Sequence, residues 1–150
     1  MVYVFDASFV GTLILPDEKN PKTNELRDFI AEDDDIFVPL LMWYEVTNIF
    51  KNLIRRKRFT SDQVLQFFPL LAAIRLTEDF AAGSDYSKKL LRLCGDYNLS
   101  SYDAAYLELA ERKKAVLCTL DEGLCTAAKK HGVALLRKNM ASTYGAAILR

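Results

Sequence analysis

Residues 2–6 read Val-Tyr-Val-Phe-Asp, an apolar run that ends abruptly at a carboxylate. Four apolar residues in succession are typical of a strand that is buried on both faces, as in the centre of a parallel sheet. Similar short runs occur at residues 36–38 and 115–119. Because parallel strands must be joined by crossovers, usually helices, this stretch predicts an α/β fold.

Segments with helical patterning separate these strands. Helices are predicted at residues 8–15, from Pro21 onward with Leu26, Phe29 and Ile30 on one face, at 40–58, at 61–71 with a break at Pro69, at 84–93, at 101–113 and at 122–130. A further strand is predicted at residues 133–136 and a weaker one at 74–76, and Pro39 is placed at a helix entry. The alternation predicts a single domain over residues 1–150, whose mostly parallel sheet is covered by helices on both faces.

Composition narrows the function classes. The chain has 150 residues, of which 51% are apolar, and twenty Lys+Arg balance twenty Asp+Glu to give a net charge of +0. These values exclude a disordered chain and a strongly basic protein that coats nucleic acid. His131 is the only histidine, which argues against histidine-based catalytic triads.

The cysteines and the N-terminus bear on the compartment. Cys94, Cys118 and Cys125 are odd in number and have no paired spacing, as is typical of reduced thiols in a cytoplasmic protein. The apolar N-terminal run contains Asp6, lacks a basic segment and is too short to span a bilayer. We therefore expect a soluble cytoplasmic protein that does not enter membranes.

Four acids are predicted to meet at one edge of the sheet. Asp6 and Asp121 follow strands, Asp103 lies in the first turn of a helix that precedes a strand, and Glu45 lies early in the helix after the second strand. Carboxylates held close together repel one another unless cations neutralise them. Hard divalent ions such as Mg²⁺ or Mn²⁺, which prefer oxygen ligands, are the natural partners.

Each acid also has a structural interpretation. Asp6 and Asp121 could be N-caps, Asp103 stands three residues after Ser100 as in a capping box, and Glu45 could be a solvated helix residue. The run at residues 33–35 is interpreted as a solvated loop. The case for a site rests on the acids taken together, because independent caps need not share one sheet edge.

A polar stripe leads away from Glu45. Asn48, Asn52 and Arg55 follow it at helical spacing, and the stripe enters the basic run at residues 55–58, which includes Arg56. Such a track is a path for a phosphodiester backbone. The alternative is an exposed helix end whose cations favour the helix dipole.

Four motifs follow one another along the chain: Val-Tyr-Val-Phe-Asp6-Ala-Ser8, Pro-Leu-Leu-Met-Trp-Tyr-Glu45-Val-Thr-Asn, Leu-Ser-Ser-Tyr-Asp103-Ala-Ala-Tyr-Leu-Glu-Leu-Ala and Leu-Cys-Thr119-Leu-Asp121. Together they resemble the motifs of PIN-domain nucleases, and most closely those of the small VapC-type toxins. The resemblance covers nearly the whole chain. It implies a three-layer α/β/α sandwich and a ribonuclease that uses Mg²⁺ or Mn²⁺ to cleave single-stranded RNA with activated water.

The resemblance also implies roles for residues. Asp6, Glu45, Asp103 and Asp121 match the family's acids, with Asp6, Asp103 and Asp121 as metal ligands and Glu122 as a second candidate for the fourth position. Ser8 and Thr119 match the small hydroxyl positions that support the acids.

Partners follow from the same resemblance. A small antitoxin would cover the site, and a homodimer would form. Trp43, Phe50, Phe67 and Phe68 could supply the dimer surface, unless they belong to the core.

Two other functions stay open from sequence. One is a phosphoacceptor domain of the response-regulator kind, which Lys138 favours and which the Ala7 that follows Asp6 disfavours. The other is a catalytically silent scaffold with the same fold.

Overall fold

A computed structural model describes residues 1–16 and 33–136, together with the backbone of residues 148–149. The described strands are β1 (Val2–Phe5), β2 (Asp35–Pro39), β3 (Leu76–Asp79), β4 (Val116–Cys118), β5 (Leu135–Leu136) and β6 (Ile148–Leu149). The described helices are α1 (Ala7–Ile14), α2 (Leu41–Arg55), α3 (Ser61–Leu65), α4 (Phe67–Ala73), α5 (Ser84–Tyr97), α6 (Ser101–Lys113) and α7 (Glu122–His131). The helix predicted from Pro21 and the residue Lys138 lie outside the described residues.

The strands form one sheet in the order β3-β2-β1-β4-β5-β6. The first five strands of this order are parallel, and β6 runs antiparallel at the edge. The fold class predicted from sequence, α/β with a mostly parallel sheet, is confirmed. The strand order reverses beside β1, since β2 lies on one side of it and β4 on the other. In such sheets the crevice at the carboxyl ends of the two diverging strands is where ligands bind.

The core explains why the central elements hold their positions. Val4 and Leu117 pair across β1 and β4 and are fully buried. Helix α6 is buried along a continuous run, residues 104–110, because it packs against both β1 and β2. Alanines at 104, 105 and 110 allow this close approach. The helix that carries Asp103 is therefore fixed against the middle of the sheet.

Two prolines behave differently from expectation. Pro39 is the last residue of β2 and pairs with Asp79, rather than starting a helix. A strand's final residue tolerates the missing N–H, since the ladder ends there. The predicted helix at 61–71 breaks at Gln66, and Pro69 lies in the first turn of α4, where no N–H bond is needed.

The observed bounds of other helices and strands differ from the predicted ones by a few residues. The strand predicted at 74–76 is β3, at Leu76–Asp79, and α5 continues through Gly95 to Tyr97. Its C-cap, Asn98, adopts the left-handed conformation that ends the helix.

The aromatic residues predicted for a dimer surface divide into two groups. Phe50 and Phe67 are buried in the core, where their rings pack at 5.8 Å between centroids. For these two the core interpretation is right. Phe68 is exposed and Trp43 is partly buried.

Two further expectations concern cysteine and membranes. All three cysteines are free thiols, and Cys118 is buried. None of the helices in the described ranges has the length and apolar character needed to cross a bilayer.

Candidate active site

Asp6 lies where β1 ends and α1 begins. It is the N-cap of α1, and its side chain is 5% exposed. Its Oδ1 accepts hydrogen bonds from the Phe9 amide at 2.8 Å and from Ser8 Oγ at 2.7 Å. Its Oδ2 accepts a bond from Thr119 Oγ1. The cap interpretation is therefore correct for Asp6, yet the carboxyl also faces the crevice.

Thr119 and Ser8 connect the loops after β1 and β4. Thr119 Oγ1 accepts a hydrogen bond from the Asp121 amide at 3.0 Å, and Ser8 Oγ accepts one from the Leu120 amide at 3.2 Å. The supporting positions assigned to these two hydroxyls thus hold Asp6 against the β4–α7 loop. Asp121 is itself the N-cap of α7 and accepts a bond from the Leu124 amide at 2.6 Å.

Asp103 and Glu45 approach from the two helices on either side. Ser100 caps α6 by accepting a bond from the Asp103 amide at 3.1 Å, and it donates to Asp103 Oδ2 at 2.8 Å. Glu45, in the second turn of α2, accepts a hydrogen bond from the Tyr106 hydroxyl at Oε2. Tyr106 is buried, so Glu45 is anchored from the protein interior.

These side chains line one open pocket of about 700 Å³, called the acid pocket here. Its lining consists of Asp6, Ala7, Ser8, Leu41, Tyr44, Glu45, Asn48, Ile49, Asn52, Tyr102, Asp103, Tyr106 and Asp121. The structure therefore brings together the four predicted acids, and Asn48 and Asn52 with them. Thr119 lies behind Asp6, whereas Arg55, Arg56 and Glu122 are exposed and stand outside the described lining.

Burial raises the pKa of Asp6 above its ordinary value. The hydrogen bonds from Thr119, Ser8 and the Phe9 amide lower that pKa and offset the burial only in part, while the charge of Asp121 raises it again. A carboxylate with a raised pKa is one for which the folded protein favours the proton over the bare charge.

Glu45 shows the same imbalance. Burial raises its pKa, the bond from Tyr106 lowers it, and the charges of Asp6 and Asp103 raise it. Burial and the bond to Glu45 raise the pKa of the Tyr106 phenol far above its ordinary value, so Tyr106 remains a donor. No lysine, arginine or histidine is found among the described residues of the lining.

The donor chemistry of the acid pocket fits a hard divalent cation, since its acidic side chains are carboxylates and its other polar groups are hydroxyls and amides. Within the described ranges, no three carboxylate, thiol or imidazole groups are grouped closely enough to hold a metal ion by themselves. Mg²⁺ commonly keeps several waters and takes only one or two protein carboxylates. The pocket therefore suits an ion held by a few carboxylates and water, and does not form a complete protein cage.

Sequence reasoning missed the pocket's aromatic residues. Tyr102 and Tyr106 lie one residue before and three residues after Asp103, and Tyr44 directly precedes Glu45. The spacing of three on a helix was a usable signal for Tyr106, because residues at i and i+3 share a face. Nothing in the sequence marked the partnership of Tyr106 with Glu45, which lies 61 residues away.

The chain is similar in sequence and in fold to known proteins. The family model of the PIN domain matches residues 3–130. Among solved structures, PAE2754 from Pyrobaculum aerophilum is similar with a TM-score of 0.62 and 23% identity, over 85% of this chain and 79% of that one. No curated protein matches the sequence.

Two further structures are similar at low identity. The Mycobacterium tuberculosis toxin VapC20, described as cleaving the sarcin-ricin loop, gives a TM-score of 0.61 at 13% identity, over 85% of this chain and 95% of that one. A toxin–antitoxin complex from Klebsiella pneumoniae gives 0.54 at 16% identity, over 79% and 86%. At these identities the likeness shows the fold.

Proposed function

The chain belongs to the PIN-domain family, and on that premise we propose that it is a metal-dependent endoribonuclease that cleaves single-stranded RNA. The observation that carries this proposal is the acid pocket itself. Four carboxylates from four separate segments line one crevice at the carboxyl edge of the sheet, and no described lining residue neutralises them. Holding acids together without a counter-charge costs stability, so a function is expected to maintain the arrangement.

Asp6 and Asp103 would be the principal ligands of Mg²⁺ or Mn²⁺, and Asp121 would complete the site directly or through water. When bound, such an ion lowers the pKa of water and stabilises negative charge on phosphate oxygens. The chain's own contribution begins with orientation. Asp6 receives bonds from Ser8, Thr119 and the Phe9 amide, and these fix its carboxyl plane before any substrate arrives.

Glu45 is the group best placed to manage the proton of the attacking water. Its Oε2 is occupied by the Tyr106 hydroxyl, and no residue in the described ranges occupies Oε1, which can accept a hydrogen bond from water. Because burial raises its pKa, Glu45 accepts a proton more readily than an exposed glutamate. In-line attack of that water on the phosphorus would leave a 3′-hydroxyl and a 5′-phosphate.

We propose that the RNA strand follows the polar face of α2. Asn48 and Asn52 line the pocket and offer neutral hydrogen bonds, and Arg55 and Arg56 lie exposed beyond the pocket at the end of the same helix. Cations at that end attract phosphates without entering the acid pocket.

We further propose that the protein is the toxin of a toxin–antitoxin pair in the cytoplasm and forms a homodimer. The similarity in fold to a toxin–antitoxin complex and to a toxin supports this proposal. Of the four aromatic residues considered for a dimer surface, the exposed Phe68 and the partly buried Trp43 remain candidates. A small antitoxin protein would cover the acid pocket.

The test is cleavage of single-stranded RNA with and without Mg²⁺ or Mn²⁺. We expect products with 5′-phosphate ends, formed only with metal. Asp6→Asn should lower the rate about a thousandfold, the scale on which one transition-state-stabilising group acts. Asp96→Asn, an exposed aspartate outside the pocket lining, is the matched control and should cleave normally.

Both variants should unfold cooperatively. Equal cleavage by wild type and Asp6→Asn would refute the proposal, as would metal-independent cleavage that leaves cyclic phosphates. Absence of cleavage, with no Mn²⁺ binding beyond that of Asp6→Asn in calorimetry, would favour a silent scaffold instead.

A further inference from the structure

Two exposed tyrosines stand at the acid pocket. Tyr44 on α2 is 75% exposed and Tyr102 on α6 is 60% exposed, although both line the pocket. Within the described part of the chain, neither hydroxyl has a hydrogen-bond partner and neither ring packs against another ring. Large aromatic side chains left in solvent beside a polar pocket contribute little to folding, and they are typical of binding surfaces.

The charge of the pocket limits what can hold an RNA strand there. Its acidic side chains are four carboxylates, and the basic residues at 55–58 stand outside the described lining. The protein's own attraction for RNA inside the pocket must therefore come from neutral groups. Aromatic rings suit this task, because every nucleobase presents a flat face on which a ring can stack without any charge.

The rings of Tyr44 and Tyr102 come from two different helices that line the acid pocket. Tyr44 precedes Glu45 on α2, and Tyr102 precedes Asp103 on α6, so the two rings line the pocket from different helices. An RNA strand with a phosphate over the acids would extend one flanking nucleotide toward each of these helices. Bases in a duplex are already stacked on their neighbours and cannot take these places without unpairing.

We propose that Tyr44 and Tyr102 form a base clamp, in which each ring stacks on one of the two nucleobases that flank the phosphate facing the acids. This inference rests on the proposed function and adds the feature that restricts it to unpaired nucleic acid. The clamp acts on binding and is largely indifferent to base identity, since stacking needs a π face rather than a hydrogen-bond pattern.

The clamp is tested by RNA binding in the Asp6→Asn protein, which keeps the RNA intact. The probe is a short fluorescein-labelled single-stranded RNA of mixed sequence, followed by fluorescence anisotropy. Tyr44→Ala and Tyr102→Ala should each weaken binding about tenfold, within the range known for base–aromatic stacking. Tyr44→Phe and Tyr102→Phe keep the rings and should recover most of that loss.

Three controls separate stacking from other effects. Phe80→Ala removes an aromatic side chain that is 74% exposed but outside the pocket lining, and it should bind like its parent. The salt dependence of binding should be the same with and without the rings, because stacking releases no counterions. With an RNA that carries abasic sites, the alanine variants and their parent should bind equally.

The clamp is wrong if the alanine variants bind the RNA within about twofold of the parent, if the abasic RNA shows the same tenfold loss, or if the parent does not bind the RNA. Cleavage by the protein with native Asp6 is measured in parallel. Cleavage together with ring-independent binding overturns the clamp and leaves the nuclease assignment intact. Ring-dependent binding without cleavage supports the clamp and overturns the nuclease assignment.

Discussion

Two groups of acids, each drawn from distant parts of the chain, differ in whether a basic side chain neutralises them. In one group, called the Arg112 cluster here, Glu108 is 3% exposed and binds Arg112 Nε at 2.9 Å. The same guanidinium binds both oxygens of Asp79, at 3.0 and 2.7 Å. In the acid pocket the described lining contains no cation.

The pKa values show the consequence. Hydrogen bonds from Arg112 lower the pKa of Asp79, whereas burial raises the pKa of Asp6 and of Glu45. The neutralised cluster joins α6 to β3, whereas the acids of the pocket lack a compensating charge among the described lining residues. The difference teaches that charge compensation, rather than the mere presence of buried acids, separates a structural group from a candidate site.

The largest effect on stability is expected at the Arg112 cluster. Arg112→Met leaves Glu108 buried without its main counter-charge, which should lower the free energy of unfolding by about 2–3 kcal/mol. Urea denaturation measures this loss. The double variant Glu108→Gln/Arg112→Met removes the stranded charge and should recover part of it. Cleavage of RNA should stay within about twofold, and a strong loss of cleavage in a folded protein would contradict the division into two groups.

Tyr106→Phe tests the positioning of Glu45. Removing the hydroxyl frees Oε2 of Glu45 while the ring still fills the core, so kcat should fall about tenfold with little change in KM. Tyr3→Phe is the control, since that buried hydroxyl contacts Met1 Sδ at 3.5 Å and does not line the pocket. Unchanged kcat in Tyr106→Phe would remove Tyr106 from the account.

The pH dependence of stability should have opposite signs in the two groups. The folded-state pKa of Asp6 is raised, so its ionisation destabilises the fold as the pH rises above 3.8. In metal-free buffer Asp6→Asn should therefore gain stability relative to wild type between acid and neutral pH.

Asp79 should behave in the reverse manner. Its folded-state pKa is lowered, so the stability it contributes is present above 3.8 and is lost as the pH falls through the lowered value. Asp79→Asn should be about 1 kcal/mol less stable than wild type at neutral pH, with the difference vanishing in acid. Thermal unfolding measured across the pH range checks both variants. If the stability of both variants relative to wild type changed in the same direction with pH, the contrast between the two groups would be wrong.

The smallest effect is expected outside the pocket. In the Asp6→Asn background, Arg55→Gln and Arg56→Gln should each weaken RNA binding only a few-fold and reduce the salt slope by about one. An unchanged slope would show that the phosphate path does not follow α2.

The sequence predicted most of the acid pocket because its parts are local. A run such as residues 2–5 identifies a buried strand, and the position of Asp6 directly after it identifies the sheet edge. The pattern also predicted α6 accurately, since Ser100 and Asp103 are a cap and its first-turn partner. Because the strands are parallel, their carboxyl ends lie at the same side of the sheet, so residues that follow different strands come close together.

What escaped prediction depends on contacts between distant segments. Periodicity places Tyr106 and Glu108 on a helix but does not say what each side chain meets. The Tyr106 hydroxyl donates to Glu45 on α2. Arg112, in the last turn of α6, binds Asp79 of β3 as well as Glu108 on its own helix. Exposure is likewise a property of the assembled fold, which is why the aromatic residues of α4 could not be divided between core and surface from sequence.

A crystal soaked in Mn²⁺ tests the central claim most directly, because anomalous scattering locates the ion without reference to RNA or to any partner. The account predicts a manganese peak in the acid pocket, within coordination or water-bridged distance of Asp6 and Asp103, and none at the Arg112 cluster. An acid pocket without manganese at saturating concentration, or an ion bound at Glu108 and Asp79 instead, would contradict it.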